Sequence, residues 1–237
     1  MPISTAKNTS TAALSPQQVL QRLEVEYGPL TWGKRKEPVP ELIVTILSQH
    51  TSDLNAERAF EQLMETFGSL EVVARAAEEE IATSIRSGGL ARIKAPRIKA
   101  VLNQILDSRG GFELDFLHDL PLNEAKAWLT ALPGVGPKTA AVVLLFALDM
   151  PAMPVDTHVH RVTQRLGFIG ETTSANTAHD LLEAMISPED IYPLHVYLIT
   201  HGRRVCKAQR PLCDSCALLD GCPAGRTRLG LATSPAA

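Results

Sequence analysis

Cysteine is absent from the first 205 residues of this 237-residue chain, and all four cysteines fall between Cys206 and Cys222. That distribution excludes the spread framework of a disulfide-stapled secreted domain and leaves ligands for one metal site or cluster. Aromatic residues are few, at 5%, and no window approaches the roughly 18 consecutive apolar residues of a membrane span. The Ser-, Thr- and Ala-rich start, residues 1–14, lacks the apolar core of a signal peptide, so a soluble intracellular protein is expected. Basic charge is not in excess either. Twenty-three Lys and Arg against 26 Asp and Glu leave a net charge of −3, which argues against a protein that coats nucleic acid by bulk charge and leaves a local basic face open. What is present is apolar bulk: 45% hydrophobic residues are too many for a disordered chain and enough for one large core or two modest ones.

Helical periodicity dominates, with no pair of alternating runs joined by a hairpin signal, so the expected class is all-α. Ser15-Pro16 opens a helix in which Val19, Leu20, Leu23 and Tyr27 recur up to Gly28. Further helices are expected at 39–48, after an Asp53 cap, at 70–77, 78–86, 95–108, 123–131, 138–148, 156–167, 174–186 and 187–202. In the 95–108 pattern Ile98, Val101, Leu102 and Ile105 point inward and Arg97, Lys99 and Arg109 outward. Residues 1–14 and 229–237 read as disordered tails.

Charge is uneven along this order. Asp53–Glu80 carries eight acidic and two basic residues, Arg86–Arg109 six basic and one acidic, and Arg203–Arg228 six basic and two acidic. A single run of this kind is ordinarily a solvated helix face. Two basic segments flanking the motifs below carry more weight.

Three motifs carry chemistry. Leu132-Pro133-Gly134-Val135-Gly136-Pro137-Lys138-Thr139-Ala140 lies between two helical patterns; its glycines allow a tight turn, and the following helix start offers unpaired N–H groups to an anion such as a DNA phosphate. A bare GxG is usually a plain connection, but this longer context is more specific. Val155-Asp156-Thr157-His158-Val159-His160-Arg161 starts a helix, and Asp156 on its own reads as an N-cap. His158 and His160 do not share a helix face, so no metal role is assigned to them. Cys206, Cys213, Cys216 and Cys222 are separated by six, two and five residues; by spacing alone, zinc and an iron–sulfur cluster are about equally suited.

Together and in this order, the motifs resemble the endonuclease III branch of the helix-hairpin-helix DNA glycosylases, from about Ser15 to Arg228. That family has LPGVGxKTA with a nucleophilic lysine, a VDTH segment with a catalytic aspartate, and four cysteines at these spacings around a [4Fe–4S] cluster. The resemblance thus selects the cluster over zinc. It implies a six-helix domain with the hairpin at 31–150, a cluster domain built from 15–30 plus 151–228, and a DNA-binding cleft between them. Both basic segments would line that cleft and the acidic helices would face away. The implied partner is double-stranded DNA with damaged bases, bound by a monomer that is cytoplasmic, and nucleoid-associated if bacterial; no membrane is involved.

The resemblance gives Lys138 the role of nucleophile toward the sugar C1′ and Asp156 that of stabilising the positive charge that develops as the base leaves. A lysine nucleophile implies abasic-site lyase activity as well as glycosylase activity, with oxidised pyrimidines as the implied lesions. Leu90, in Ser87-Gly88-Gly89-Leu90-Ala91-Arg92, matches the family wedge that enters the base stack, with Arg92 beside it. A family glutamine fills the space left by the flipped base; ungapped counting from Asp53 puts His50 there, with Gln49 adjacent. Pro137 stands where many relatives carry a basic residue. Further DNA contacts are expected at Gly134, Val135, Gly136, Lys207 and Arg210. The alternatives are a thymine- or adenine-mismatch glycosylase of the same fold, and a non-catalytic iron–sulfur DNA-binding module. Lys138 speaks against the first, and the retention of both Lys138 and Asp156 against the second.

Overall fold

The computed structural model describes residues 13–30 and 36–231. Among the described residues every regular element is helical: α1 (Pro16–Tyr27), α2 (Pro38–Ser48), α3 (Asp53–Phe67), α4 (Leu70–Arg75), α5 (Glu78–Ser84), α6 (Ala91–Arg109), α7 (Leu122–Thr130), α8 (Pro137–Ala147), α9 (Thr157–Leu166), α10 (Ala175–Met185), α11 (Ile191–Arg204) and α12 (Pro223–Arg228). The all-α expectation holds. None of these helices is long and apolar enough to cross a membrane. Most of the two expected tails, residues 1–12 and 232–237, lies outside the described residues. Leu14 is a correction to the first: it is buried, and its side chain occupies the space that a Cβ on Gly221 would take.

The chain divides into two compact units. One is Gly33–Pro154, and the other brings the residues up to Trp32 together with those from Val155 onward. In the first, α2 and α8 are apolar on nearly every face and pack on each other at the centre, as helices without a polar side must. Leu42, Ile43, Ile46, Ile98, Leu102 and Leu144 are fully buried there, and each would cost about 2–5 kcal/mol on truncation to Ala. Met150 and Ala152 belong to this core, which is why the linker after α8 goes with it. In the second unit α11 packs against α1 and α9, burying Val19, Leu23, Val159, Val162, Leu194 and Leu198. The Tyr197 hydroxyl donates to the Gly28 carbonyl at 2.6 Å, fixing the end of α1.

Three helix starts differ from the sequence reading. The cap of α3 is Ser52, whose Oγ accepts from Asn55 N at 3.3 Å, while Asp53 is the first helical residue and favours the dipole from there. Helix α6 begins at Ala91, four residues early, and carries Pro96 inside it; the missing N–H at that position leaves the Arg92 carbonyl without its usual helical donor. At Ser187-Pro188 a single turn, Pro188–Asp190, precedes α11, whose Pro193 falls in the first turn, where no N–H is required.

Candidate nucleic-acid interface and metal centre

In the hairpin between α7 and α8, Gly134 has φ 72° and packs under the Arg97 side chain, where a Cβ would collide with Nε and Cδ. Gly136, by contrast, has φ −98°, open space around it and the N-cap position of α8. Nothing inside the protein demands glycine there. The Val135 side chain is buried and its N–H donates to the Leu132 carbonyl at 3.1 Å. Lys138 is exposed as the second residue of α8. The first-turn N–H groups beside it have no intrahelical acceptor, as at any helix start.

Helix α6 gathers the other expected DNA-facing residues of this unit. His50 and Leu90 are both exposed and both in the left-handed region, at φ 59° and 49°. For a residue with a Cβ that conformation costs on the order of 1–2 kcal/mol and persists only where neighbours enforce it. Lys94 lies between the two segments. It is 2% exposed, and its Nζ donates to the Leu47 carbonyl at 2.6 Å and the Gly88 carbonyl at 2.8 Å. Desolvation, with a smaller contribution from the Arg97 charge, lowers its pKa. One turn on, Arg97 Nη1 donates to Gln49 Oε1 at 2.6 Å. Arg97 is therefore half-buried rather than outward, and Lys99 is likewise tied to the Ala76 carbonyl at 2.7 Å.

This changes the charge reading. Of the six basic residues in Arg86–Arg109, Lys94, Arg97 and Lys99 are spent on internal hydrogen bonds and Arg109 lies over the Phe116 ring at 3.9 Å. Arg86 and Arg92 remain exposed in this stretch with no such contact. In the other unit Lys207 and Arg210 are both exposed.

Asp156 caps α9. Its Oδ1 accepts from His158 N at 2.9 Å and Val159 N at 2.7 Å, which fixes the carboxylate at the helix start while leaving it partly exposed. Lys138 and Asp156 belong to different units.

All four cysteines line one cavity of about 220 Å³, walled by Val162, Leu166, Leu212 and Leu218. Among the described residues no three Cys, His, Asp or Glu side chains converge on a point as ligands of a single ion must. Thiols spaced around an apolar cavity fit a larger group. Donors already address three of the sulfurs: Leu218 N to Cys216 at 3.4 Å, Gly225 N to Cys222 at 3.4 Å and Arg165 Nη1 to Cys206 at 3.3 Å. Burial pushes the Cys216 thiol up to about 11, so metal binding must displace its proton. Burial also lowers His201 to about 4. Its Nδ1 lies 2.9 Å from the Tyr27 hydroxyl and its Nε2 3.5 Å from Cys216 Sγ. Two arginines of α9 shape the loop: Arg161 donates to the Gly202 and Cys206 carbonyls at 2.9 and 3.0 Å, and Arg165 to those of Lys207 and Ala208 at 2.8 and 2.9 Å.

Sequence reasoning missed Lys94, Arg97, Arg161 and Arg165. Their i,i+3 and i,i+4 spacing on single helices was visible, but a basic residue whose acceptors are carbonyl or amide oxygens of other segments leaves no pairing signal.

This fold, with its glycine-rich hairpin, defines a helix-hairpin-helix base-excision repair protein: residues 43–188 match the family of HhH-GPD superfamily base excision DNA repair proteins. Endonuclease III of Thermotoga maritima is 37% identical over 196 residues, which are 82% of this chain and 87% of that one. A non-covalent endonuclease III–DNA complex superposes at TM-score 0.77 and 32% identity, over 92% of this chain and 99% of the other. A trapped endonuclease III–DNA covalent intermediate, an estranged-adenine complex, superposes at 0.76 and 32%, over 91% and 99%. The chain belongs to the endonuclease III family and is a base-excision-repair DNA glycosylase.

Proposed function

We propose that the chain excises oxidised pyrimidines from duplex DNA and then cleaves the strand, with Lys138 as nucleophile and Asp156 as its charged partner. The carrying observation is the exposed Lys138 amine on the first turn of α8, directly after the glycine-bearing hairpin. Because the protein leaves Lys138 in solvent, its desolvation must come from the DNA itself. The neutral amine donates its lone pair to C1′, the C1′–N bond breaks, and the base leaves with that electron pair and takes up a proton. The sugar ring opens to a protonated imine. Loss of the 2′ proton gives an enamine whose electrons expel the 3′ phosphate, and water releases the lysine. Asp156, held by two backbone N–H groups, faces the positive charge that builds on the sugar and accepts a proton from the attacking amine. The covalent intermediate recorded for the trapped relative supports this route.

Leu90 acts as the wedge, His50 and Gln49 occupy the vacated space, and Arg92, Lys207 and Arg210 meet phosphates. Cys206, Cys213, Cys216 and Cys222 hold a [4Fe–4S] cluster, which supplies a rigid crosslink of the loop carrying Lys207 and Arg210. The working form is a monomer in the compartment that holds the DNA. Borohydride present with abasic duplex DNA should trap a covalent protein–DNA species, and Lys138→Gln should abolish it. Iron and acid-labile sulfide in equal amounts, with broad visible absorption, would support the cluster; a colourless zinc protein would refute it.

A further inference from the structure

The buried Lys94 has no part in the chemistry above, yet it joins the two segments that carry the strained His50 and Leu90. Its ammonium spans from the last turn of α2, at Leu47, to the Gly88 carbonyl, two residues before Leu90. Gly88 itself is buried, and a Cβ there would stand 3.0 Å from the Ala59 methyl, so the segment packs closely on α3. Arg97, one turn further along α6, bonds Gln49 and covers Gly134. A single helix face thus touches the gap segment, the wedge segment and the hairpin turn.

We propose that Lys94 is a positioning residue for base extrusion: it locks the wedge Leu90 and the gap residues His50 and Gln49 into one rigid piece, so that entry of the wedge and filling of the vacated space occur as one event. This rests on the assignment of Leu90 as wedge. A methionine at 94 would keep the aliphatic stem and leave both carbonyls without their donor. The wedge and gap loops could then relax out of the left-handed region independently, and misplacement of this order costs rate steeply.

Extrusion is demanded by a paired damaged base and far less by an abasic site, which has no base to remove. The test is the ratio of thymine glycol excision to abasic-site cleavage in the intact, cluster-bearing protein, measured for wild type, Lys94→Met, Lys94→Gln and Leu90→Ala, with melting temperatures alongside. Lys94→Met is expected to lower that ratio on the order of ten- to a hundred-fold. Lys94→Gln, which keeps donors on a shorter stem, should fall between, and it carries the test if the methionine variant does not fold. The double variant Lys94→Met with Leu90→Ala should be no worse than the more damaged single variant, because both act on the same step. A melting temperature that falls while the ratio stays put overturns the proposal and leaves the wedge intact, provided Leu90→Ala itself lowers the ratio. If Leu90→Ala leaves the ratio unchanged, the wedge assignment fails and the proposal with it.

Discussion

Arg97 donates to Gln49 Oε1 at 2.6 Å, and because a guanidinium has donors only, it fixes which way the amide points. The oxygen is turned inward to Arg97 and the Nε2 donors are left for whatever enters beside them. Arg97→Met would free that amide and remove one charge-assisted hydrogen bond. The expected loss is about 1.5–3 kcal/mol of stability, read by urea unfolding, together with weaker binding to duplexes bearing an abasic-site analogue. Gln49→Glu keeps the inward acceptor but replaces the outward donors by a carboxylate oxygen, so it should retain stability and lose DNA affinity.

The two hairpin glycines should separate. Gly134→Ala forces a left-handed residue to carry a Cβ against Arg97, and should cost roughly 1–2 kcal/mol from the backbone alone, with Arg97 displaced in addition. Gly136→Ala meets open space at an ordinary φ and should cost at most about 1 kcal/mol. DNA affinity should nevertheless fall in both. Unchanged affinity in Gly136→Ala would show that no phosphate approaches that backbone.

Asp156 serves as cap and as reactive carboxylate, and two substitutions divide those roles. Asn is an equally good cap acceptor, so Asp156→Asn should melt close to wild type while excision falls on the order of a hundredfold or more. Asp156→Ala should lose about 1 kcal/mol of stability as well.

Arg22 on α1 pairs with Asp220 of the cysteine segment, and its hydrogen bond, ahead of the other contributions, holds that carboxyl below the usual carboxylate range. A depressed carboxyl stabilises the fold above its unfolded pKa of about 3.9, and that contribution is lost as pH falls through the folded value. The side chains are 35% and 43% exposed, so the pair contributes no more than about 1 kcal/mol. Asp220→Asn should therefore lower the unfolding midpoint slightly at pH 7 and progressively less as the pH falls through the folded value.

The helix order, the hairpin, the Asp156 cap and the grouping of the four cysteines were legible because each depends on residues close in sequence. The brace was not. Lys94 and Arg97 sat in a basic, amphipathic pattern, and their acceptors are a carbonyl 47 residues away and an amide 48 residues away. The misplaced start of α6 has a local cause: Pro96 reads as a first-turn residue, yet the helix begins ahead of it on a left-handed Leu90. The basic count of Arg86–Arg109 overstates its outward charge in the same way, since charged groups that bond internally count in a sum without facing a partner.

Lys138 is the proposed nucleophile. Borohydride reduction during turnover of a thymine glycol duplex, followed by nuclease trimming and peptide mass mapping, locates the bond directly. With Lys138 as the nucleophile, a reduced sugar adduct is expected on the peptide containing Lys138 and on no other lysine. An adduct on a different lysine, or excision that proceeds with no adduct at all, would contradict it.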